Sequence, residues 1–293
     1  MAEQQSATNG EKKKKAFLIV GMVVAAGLII GLFYNSYRST HITTDDAFVE
    51  GNIHTIAARI AGNVRTVAIT DNQRVERGDL LVELDPADYR SKAEAARANL
   101  ELQRATLRFA EAERKRAKAL YEQEAGAADR YDKAISSHEI SLAQMKLAEE
   151  QLRQAELNLG YTRIAAPAAG YVTRKSVQTG NQVKDSQPLM AVVDLDNLYV
   201  IANYKETEME RIRSGQPVRI TVDAYPGKVF TGKVDSIMAG TGVSFSLFPA
   251  ENATGNYVKV VQRIPVKIVL DPGADKDHLL RIGMSVIPTV LAK

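Results

Sequence analysis

The chain has 293 residues, with 38 Lys and Arg against 35 Asp and Glu, and a net charge of +3 at pH 7. This length is sufficient for two or three modules. Because much of the basic excess lies in the lysine run at 12–15, the charge distribution does not indicate a nucleic-acid-binding surface. The chain has no cysteine, which excludes disulfides, thiolate metal sites and cysteine nucleophiles.

The N-terminal residues predict a membrane anchor. Residues 1–15 are polar and end in four lysines, and nineteen uncharged residues follow at 16–34. A run of that length just spans a bilayer core of about 30 Å as a helix. The lysines indicate a cytoplasmic N-terminus. We therefore predict a cytoplasmic tail at 1–15 and one transmembrane helix at 16–36. The alternative is a cleaved signal peptide, which normally has an apolar run of only about 7–15 residues.

Two blocks of short strands, at 47–86 and 161–195, predict the halves of one small β-sandwich. A fixed offset of 108 residues relates them, and it pairs Gly62 with Gly170, Val64 with Val172, Ile69 with Val177, Val75 with Val183, Leu81 with Leu189 and Leu84 with Val192. Neither half can bury its apolar face alone, so we expect the two to close on each other as a lipoyl-like domain. Coincidental β-alternation is the alternative.

The segment between the halves, 87–160, predicts an antiparallel coiled-coil hairpin of two α-helices. Residues 88–159 contain no proline and are rich in helix-forming residues. Apolar and small residues recur every seven positions, in the rows 93/100/107 and 96/103/110/117, then 138/145/152/159 and 141/148/155. Gly126 is the local breaker between the helices, and Asp129 is the expected N-cap of the second helix.

Residues 196–293 predict an antiparallel β-barrel. Strands are expected at 198–204, 218–224, 229–238, 258–270 and 284–291, with a short polar helix at 206–213. A Gly-, Ser- and Asn-rich loop at 240–256 carries Phe245, Leu247 and Phe248. Exposed apolar residues on a long loop indicate a contact surface. The equally weighted alternative is that the phenylalanines fold back over the barrel.

Catalytic motifs are hard to find in the sequence. The four histidines are scattered without metal-ligand spacing, and His138 falls in a helix row. The chain has neither a phosphate-binding glycine-lysine loop nor a nucleophile elbow. A lipoyl or biotinyl carrier needs a lysine at a hairpin tip, and the corresponding turns, 71–73 and 179–181, have none. We therefore expect no enzymatic activity, no cofactor and no metal.

Four segments carry a resemblance to a known family. They are TTDDAFVEG at 43–51, IAAPAAG at 164–170, NYKET at 203–207, and the run from GTG at 240–242 through PAENATGN at 249–256 to VVQRIPV at 260–266. With the predicted layout, they resemble the HlyD/EmrA branch of periplasmic adaptors, also called membrane fusion proteins. The resemblance covers nearly all of residues 16–293, and the last run is its most specific motif.

The resemblance implies an elongated, multidomain α+β protein of the Gram-negative inner membrane. Such a protein has one membrane span, a cytoplasmic N-terminus and its bulk in the periplasm. It works as a homo-oligomeric adaptor of a tripartite drug-efflux system, linking a major-facilitator transporter to a TolC-like outer-membrane channel. The alternative within this architecture is an adaptor for type I protein secretion, paired with an ATP-driven transporter.

We predict two contact sites, and the same resemblance assigns the first. Channel-docking adaptors tend to carry an Arg-x3-Leu-x6-Ser motif at the hairpin tip, and Arg116 and Leu120 match it. The serine position is Ala127 here, which departs from the motif. The alternative is that Arg116 and Leu120, four residues apart on a helix, are ordinary residues of the coiled-coil surface and seam. The second site is the barrel loop, where we expect a partner or conduit contact at Phe245, Leu247, Phe248 and Asn252.

Overall fold

A computed structural model describes residues 40–245 and 260–292 of the chain. The described residues form two compact units: Ile53–Asp194, and residues 40–52 together with 195–245 and 260–292. Within the described residues, no helix has the length and apolar character needed to cross a membrane. The predicted tail at 1–15 and membrane span at 16–36 lie outside these residues.

Short strands precede and follow a pair of long helices. The first strands are β1 (His41–Thr43), β2 (Ala47–Glu50), β3 (Ile53–Ala57), β4 (Gly62–Val67), β5 (Arg74–Val75) and β6 (Leu80–Leu84). The helices α1 (Ala87–Glu122) and α2 (Ala128–Gly160) follow. The later strands are β7 (Arg163–Ala165), β8 (Gly170–Thr173), β9 (Gln182–Val183), β10 (Pro188–Val193), β11 (Tyr199–Lys205), β12 (Pro217–Val222), β13 (Val229–Ile237), β14 (Arg263–Leu270) and β15 (Val286–Leu291).

The unit Ile53–Asp194 contains a sandwich of two four-stranded sheets, ordered β3-β10-β8-β5 and β7-β6-β4-β9. Each sheet takes two strands from the block before the helices and two from the block after them. Shifting every strand by 108 residues converts one sheet order into the other. The two halves therefore exchange strands, and neither forms a sheet without the other.

The apolar residues paired by the offset form the core of this sandwich. All ten are at most 7% exposed and belong to one cluster. The turns repeat as well, because Asn72 and Gly180 both have positive φ, as do Gly78 and Ser186. The predicted closure of the two halves on each other is confirmed.

Residues 47–50 do not belong to the sandwich, so placing its first half from residue 47 was wrong. Strand β2 pairs with β11 in a seven-stranded sheet of the other unit. Ala47 and Val49 are buried there, at 4% and 0% exposure. The alternating pattern of residues 47–50 fits either sheet, and the pairing with β11 was not readable from local sequence.

The seven-stranded sheet has the order β1-β15-β12-β13-β14-β11-β2 and closes into a barrel. Closure comes from Val49, whose backbone N–H donates to Met284 O at 2.9 Å and whose carbonyl accepts from Gly283 N at 2.8 Å. The strands predicted at 218–224 and 229–238 correspond to β12 and β13, which pair as an antiparallel hairpin. The polar helix expected at 206–213 is a 3-10 helix, Glu206–Arg211.

The inserted helices form an antiparallel hairpin, as Arg97 Nη2 lies 2.7 Å from Glu156 Oε1. At 1.5 Å per residue each helix is roughly 50 Å long. The predicted rows form the contact between them: all their members are buried or half-buried, led by Ala93, Leu100 and Ala148 at 2–4% exposure. We call these rows the inner seam.

The N-cap of α2 differs from the prediction. Ala127 holds that position with no side-chain cap hydrogen bond, and Asp129 lies in the first turn. There the Asp129 carboxylate accepts a hydrogen bond from Lys133 Nζ at 2.6 Å. An acidic residue in the first turn still stabilises the helix through the dipole.

Candidate functional site

The two helices are joined at the tip by residues 123–127. Ala125 donates its backbone N–H to Leu120 O at 3.0 Å, and Glu124 adopts a positive φ of 56°. Gly126 is closely enclosed, because a Cβ there would lie 3.2 Å from Leu120 Cβ. The close approach of the chain, and not a positive φ, accounts for glycine at this position.

The three residues assigned to channel docking all lie at this tip. Arg116 is exposed and pairs with the Glu113 carboxylate one turn earlier on α1. Leu120 is 38% exposed, one turn further towards the tip. Ala127 is exposed on the opposite side of the turn, where α2 begins. The structure therefore places a cation, an aliphatic side chain and a methyl group within about two helical turns of the tip.

A pair of tyrosines at the tip was missed by the sequence reasoning. The rings of Tyr121 and Tyr131 stack with centroids 5.5 Å apart and planes inclined by 15°. Stacked aromatic pairs stabilise a contact by about 0.5–1.5 kcal/mol beyond their buried area. The pair joins the end of α1 to the start of α2. No heptad row contains both residues, so periodicity gave no signal for it.

Three of the family-like segments meet at one side of the barrel. Asp46 accepts hydrogen bonds from Asn203 Nδ2 at 3.1 Å and from Arg263 Nη1 at 2.8 Å. Thr44 is 7% exposed, and its hydroxyl donates to Asn203 O at 2.9 Å. We call these four residues the barrel-entry cluster. These side chains form hydrogen bonds within the cluster, which favours a structural role in joining β2 to β11 and β14.

The barrel interior carries one deeply buried hydroxyl. Tyr204 is fully buried, and its hydroxyl donates to Pro288 O at 3.2 Å. Burial, with a smaller effect of the Glu208 charge, raises the pKa of Tyr204 well above its usual range. Burial and the neighbouring Glu50 also raise the pKa of Tyr199. Both phenols are neutral at physiological pH, so each hydroxyl can donate a hydrogen bond: Tyr204 to Pro288 O, and Tyr199 to Glu50 Oε2 at 3.3 Å.

The barrel-loop site is described only at its beginning. Phe245 ends a short 3-10 helix, Gly242–Phe245, in which Ser244 N–H donates to Thr241 O at 3.0 Å. The remaining assigned loop residues, Leu247, Phe248 and Asn252, lie outside the described residues.

Within residues 40–245 and 260–292, no group of three or more His, Asp or Glu is placed to hold a metal ion. The sandwich turns at 71–73 and 179–181 carry Asn72 and Gly180 at their positive-φ positions, and no lysine.

Comparison with protein-family models matches two domains. Residues 52–195 match the barrel-sandwich hybrid domain of RND membrane fusion proteins, and residues 197–291 match an AAEA-like β-barrel domain. The sandwich match begins at residue 52, which agrees with the finding that β2 belongs to the barrel.

Three curated relatives extend this similarity along the chain. Multidrug export protein EmrA of Escherichia coli K12 is 34% identical over 98% of this chain and 86% of its own length. Colistin resistance protein EmrA of Acinetobacter baumannii ATCC 17978 is 31% identical over 99% of this chain and 98% of its own. Fatty acid resistance protein FarA of Neisseria gonorrhoeae is 38% identical over 83% and 74% respectively.

Solved structures share the fold. The membrane fusion protein Spr0693 of Streptococcus pneumoniae R6 superposes with a TM-score of 0.63 at 18% identity, covering 86% of this chain and 99% of that one. A MacA-MexA chimera with the Pseudomonas aeruginosa MexA α-hairpin superposes with a TM-score of 0.60 at 24% identity, covering 87% and 82%.

Proposed function

Because this chain belongs to the EmrA-type membrane fusion proteins, we propose that it serves as the periplasmic adaptor subunit of a multidrug efflux pump. The proposal is carried by the similarity to EmrA proteins along the whole chain, which includes the sandwich, the hairpin and the barrel. The adaptor is not an enzyme, and the energy for export comes from the transporter.

Within this role, the hairpin tip contacts a TolC-like outer-membrane channel. The exposed Arg116, Leu120 and Ala127 support this assignment, since they lie within about two helical turns of the tip, where backbone hydrogen bonds and the tyrosine stack join the two helices. Ala127 offers only a methyl group where related adaptors tend to carry a serine hydroxyl. We therefore assign the polar part of the contact to Arg116.

The barrel loop contacts a major-facilitator transporter in the inner membrane. Phe245, Leu247, Phe248 and Asn252 form this second contact, and residues 16–36 anchor the chain beside it with residues 1–15 in the cytoplasm. Several copies assemble, and their hairpins enclose the conduit.

Site-specific crosslinking in the native envelope tests this arrangement. The chain has no cysteine, so single cysteines provide unique attachment points. Ala127→Cys probes the tip and Phe245→Cys probes the barrel loop. Glu94→Cys is the matched hairpin control, exposed on α1 but about 40 Å of helix away from the tip.

We expect position 127 to capture an outer-membrane channel and position 245 a multispanning transporter, with neither captured at position 94. Capture of an ATP-driven transporter at position 245 would instead indicate an adaptor for protein secretion. Abundant, anchored protein that captures no envelope partner at either site would refute the adaptor role.

A further inference from the structure

The first helix of the hairpin carries a second apolar stripe that α2 does not cover. Its members recur at alternating spacings of three and four residues, the pattern by which helices pack along one another. This outer stripe of α1 consists of Ala95, Ala98, Leu102, Ala105, Phe109 and Ala112. Leu102 is 61% exposed and Phe109 is 66% exposed. The helix therefore has two packing surfaces, and only its inner seam is occupied.

The second helix has a shorter stripe of the same kind. The outer stripe of α2 consists of Ser136, Ile140, Ala143 and Leu147. Ile140 is 59% exposed and Leu147 is 61% exposed. Glu150 ends the stripe on the side away from the tip, and its carboxylate is held by Arg153 Nε of the same helix at 2.8 Å.

The large residues of the two outer stripes lie at matching levels along the hairpin. Asn99 Nδ2 lies 3.5 Å from Gln151 Oε1, which fixes the antiparallel register of the helices together with the Arg97–Glu156 pair. This register places Leu147 within about one turn of the level of Leu102, and Ile140 within about one turn of Phe109. In a contact between the two stripes, the large residues of one therefore meet the large residues of the other.

The outer stripes lie on opposite edges of the hairpin. At about 100° per residue, the outer stripe of α1 is roughly 160° around the helix from its inner seam, and α2 has the same relation. A neighbouring hairpin that points in the same direction therefore meets α1 with its own α2. Such a contact is heterologous, and it repeats from copy to copy until a ring closes.

The two broad faces of the hairpin differ in charge. The face that contains Asn99 and Gln151 carries uncharged polar residues through its middle, with Thr106, Ser137 and Gln144. The opposite face is strongly charged and carries Glu94, Arg97, Glu101, Arg104, Arg108, Glu139, Lys146, Glu149, Arg153 and Glu156. The inner seam and the outer stripe of each helix are roughly 160° apart when measured across the uncharged face, and further apart across the charged face. In a ring, the side with the smaller angle faces inward, so the uncharged face is concave.

We propose that a second copy of this chain packs through these stripes, with the outer stripe of α1 against the outer stripe of α2 in the next copy. The uncharged face then lines the inside of the ring, and the charged face meets the surrounding solvent. This surface assignment rests on the oligomeric adaptor proposed above and specifies which residues join the copies.

Oxidative disulfide crosslinking of the full-length protein in its own membrane tests the contact. One variant carries Leu102→Cys and Leu147→Cys together. The matched control carries Glu101→Cys and Lys146→Cys, each one residue earlier at nearly the same level but turned towards the charged face. All four positions are exposed, so folding is not at risk, and drug tolerance of the same cells is measured in parallel.

We expect the Leu102/Leu147 pair to give a ladder of dimers, trimers and larger species on non-reducing gels. Its yield should exceed that of the control pair by about tenfold, because a disulfide requires Cβ atoms about 4 Å apart. A ladder that stops at dimers, or equal yields from the two pairs, overturns the proposed contact. If drug tolerance is retained in that case, the adaptor role stands without this surface. A full ladder in cells that gain no tolerance refutes the adaptor role instead.

Discussion

The alanine substitution of Gly170 should destabilise the sandwich, whereas that of Gly62 should not, although the two glycines are equivalent in the repeat. A Cβ on Gly170 would lie 2.5 Å from Val193 O and 2.9 Å from Val192 Cγ1. A Cβ on Gly62 would meet only the Leu84 side chain, at 3.5 Å. The first contact is a clash with backbone, and the second is an ordinary van der Waals distance.

The expected difference follows from two opposing effects. Replacing glycine by alanine in a compatible conformation stabilises a protein by about 0.4–1 kcal/mol through the unfolded chain. Forcing an extra methyl group against packed backbone costs about 1–3 kcal/mol. We therefore expect Gly170→Ala to lower the free energy of unfolding by about 1–2 kcal/mol, and Gly62→Ala to raise it by about 0.5 kcal/mol.

Thermal unfolding of the purified protein, followed by far-UV circular dichroism, measures this difference. Both helices belong to the same unit as the sandwich, so their signal reports its unfolding. At about 2–4 °C per kcal/mol, the Tm of Gly170→Ala should lie about 4–8 °C below that of Gly62→Ala. Equal Tm values for the two variants would show that the close approach at Gly170 relaxes without cost, and would refute this reasoning.

Three further predictions concern the hairpin and the barrel. In thermal unfolding, Leu100→Ala should destabilise the hairpin by about 2–5 kcal/mol, because the side chain is buried in the inner seam, while Leu102→Ala should change the stability by less than about 0.5 kcal/mol, because the side chain is exposed. The pKa of Tyr204 is higher in the native state than in the unfolded chain. Its contribution to the free energy of unfolding is therefore complete below about pH 10 and is lost as pH rises further. In Tyr204→Phe, the fall in the urea midpoint above about pH 10 should be shallower, and an unchanged slope would contradict this. Asp46→Asn should cost at most about 1 kcal/mol in urea unfolding, because its ion pair with Arg263 is well exposed to solvent; a larger loss would show that the barrel-entry cluster is more strongly coupled.

Local sequence was sufficient to locate the hairpin and its inner seam. A helix has a short period, so residues such as Ala93 and Leu100 that share a face are recognised from spacing alone. The end of the hairpin was less well defined. Asp129 is a good N-cap residue by type, but the path of the turn placed Ala127 at that position instead.

The candidate contact sites were only partly accessible to sequence reasoning. The positions of Arg116, Leu120 and Ala127 came from comparison with a motif, and the structure places all three at the tip. The stacking of Tyr121 on Tyr131 was not foreseen, because it depends on how two helices meet across a turn. The barrel-entry cluster was missed for the same reason, since Asp46 and Arg263 are 217 residues apart in the chain.

By itself, the sequence determined which parts of this protein repeat. The heptad rows and the offset of 108 residues are properties of spacing, and they established the hairpin and the pairing of the two sandwich halves. Only the tertiary structure decided which sheet or helix each of several similar patterns packs against. Residues 47–50 alternate as well as any sandwich strand, yet β2 closes the barrel through bonds to distant strands. Both stripes of α1 have helical spacing, and only packing against α2 shows which one is buried and which one is left for a neighbour. Periodicity defines a face, but long-range contacts choose its partner.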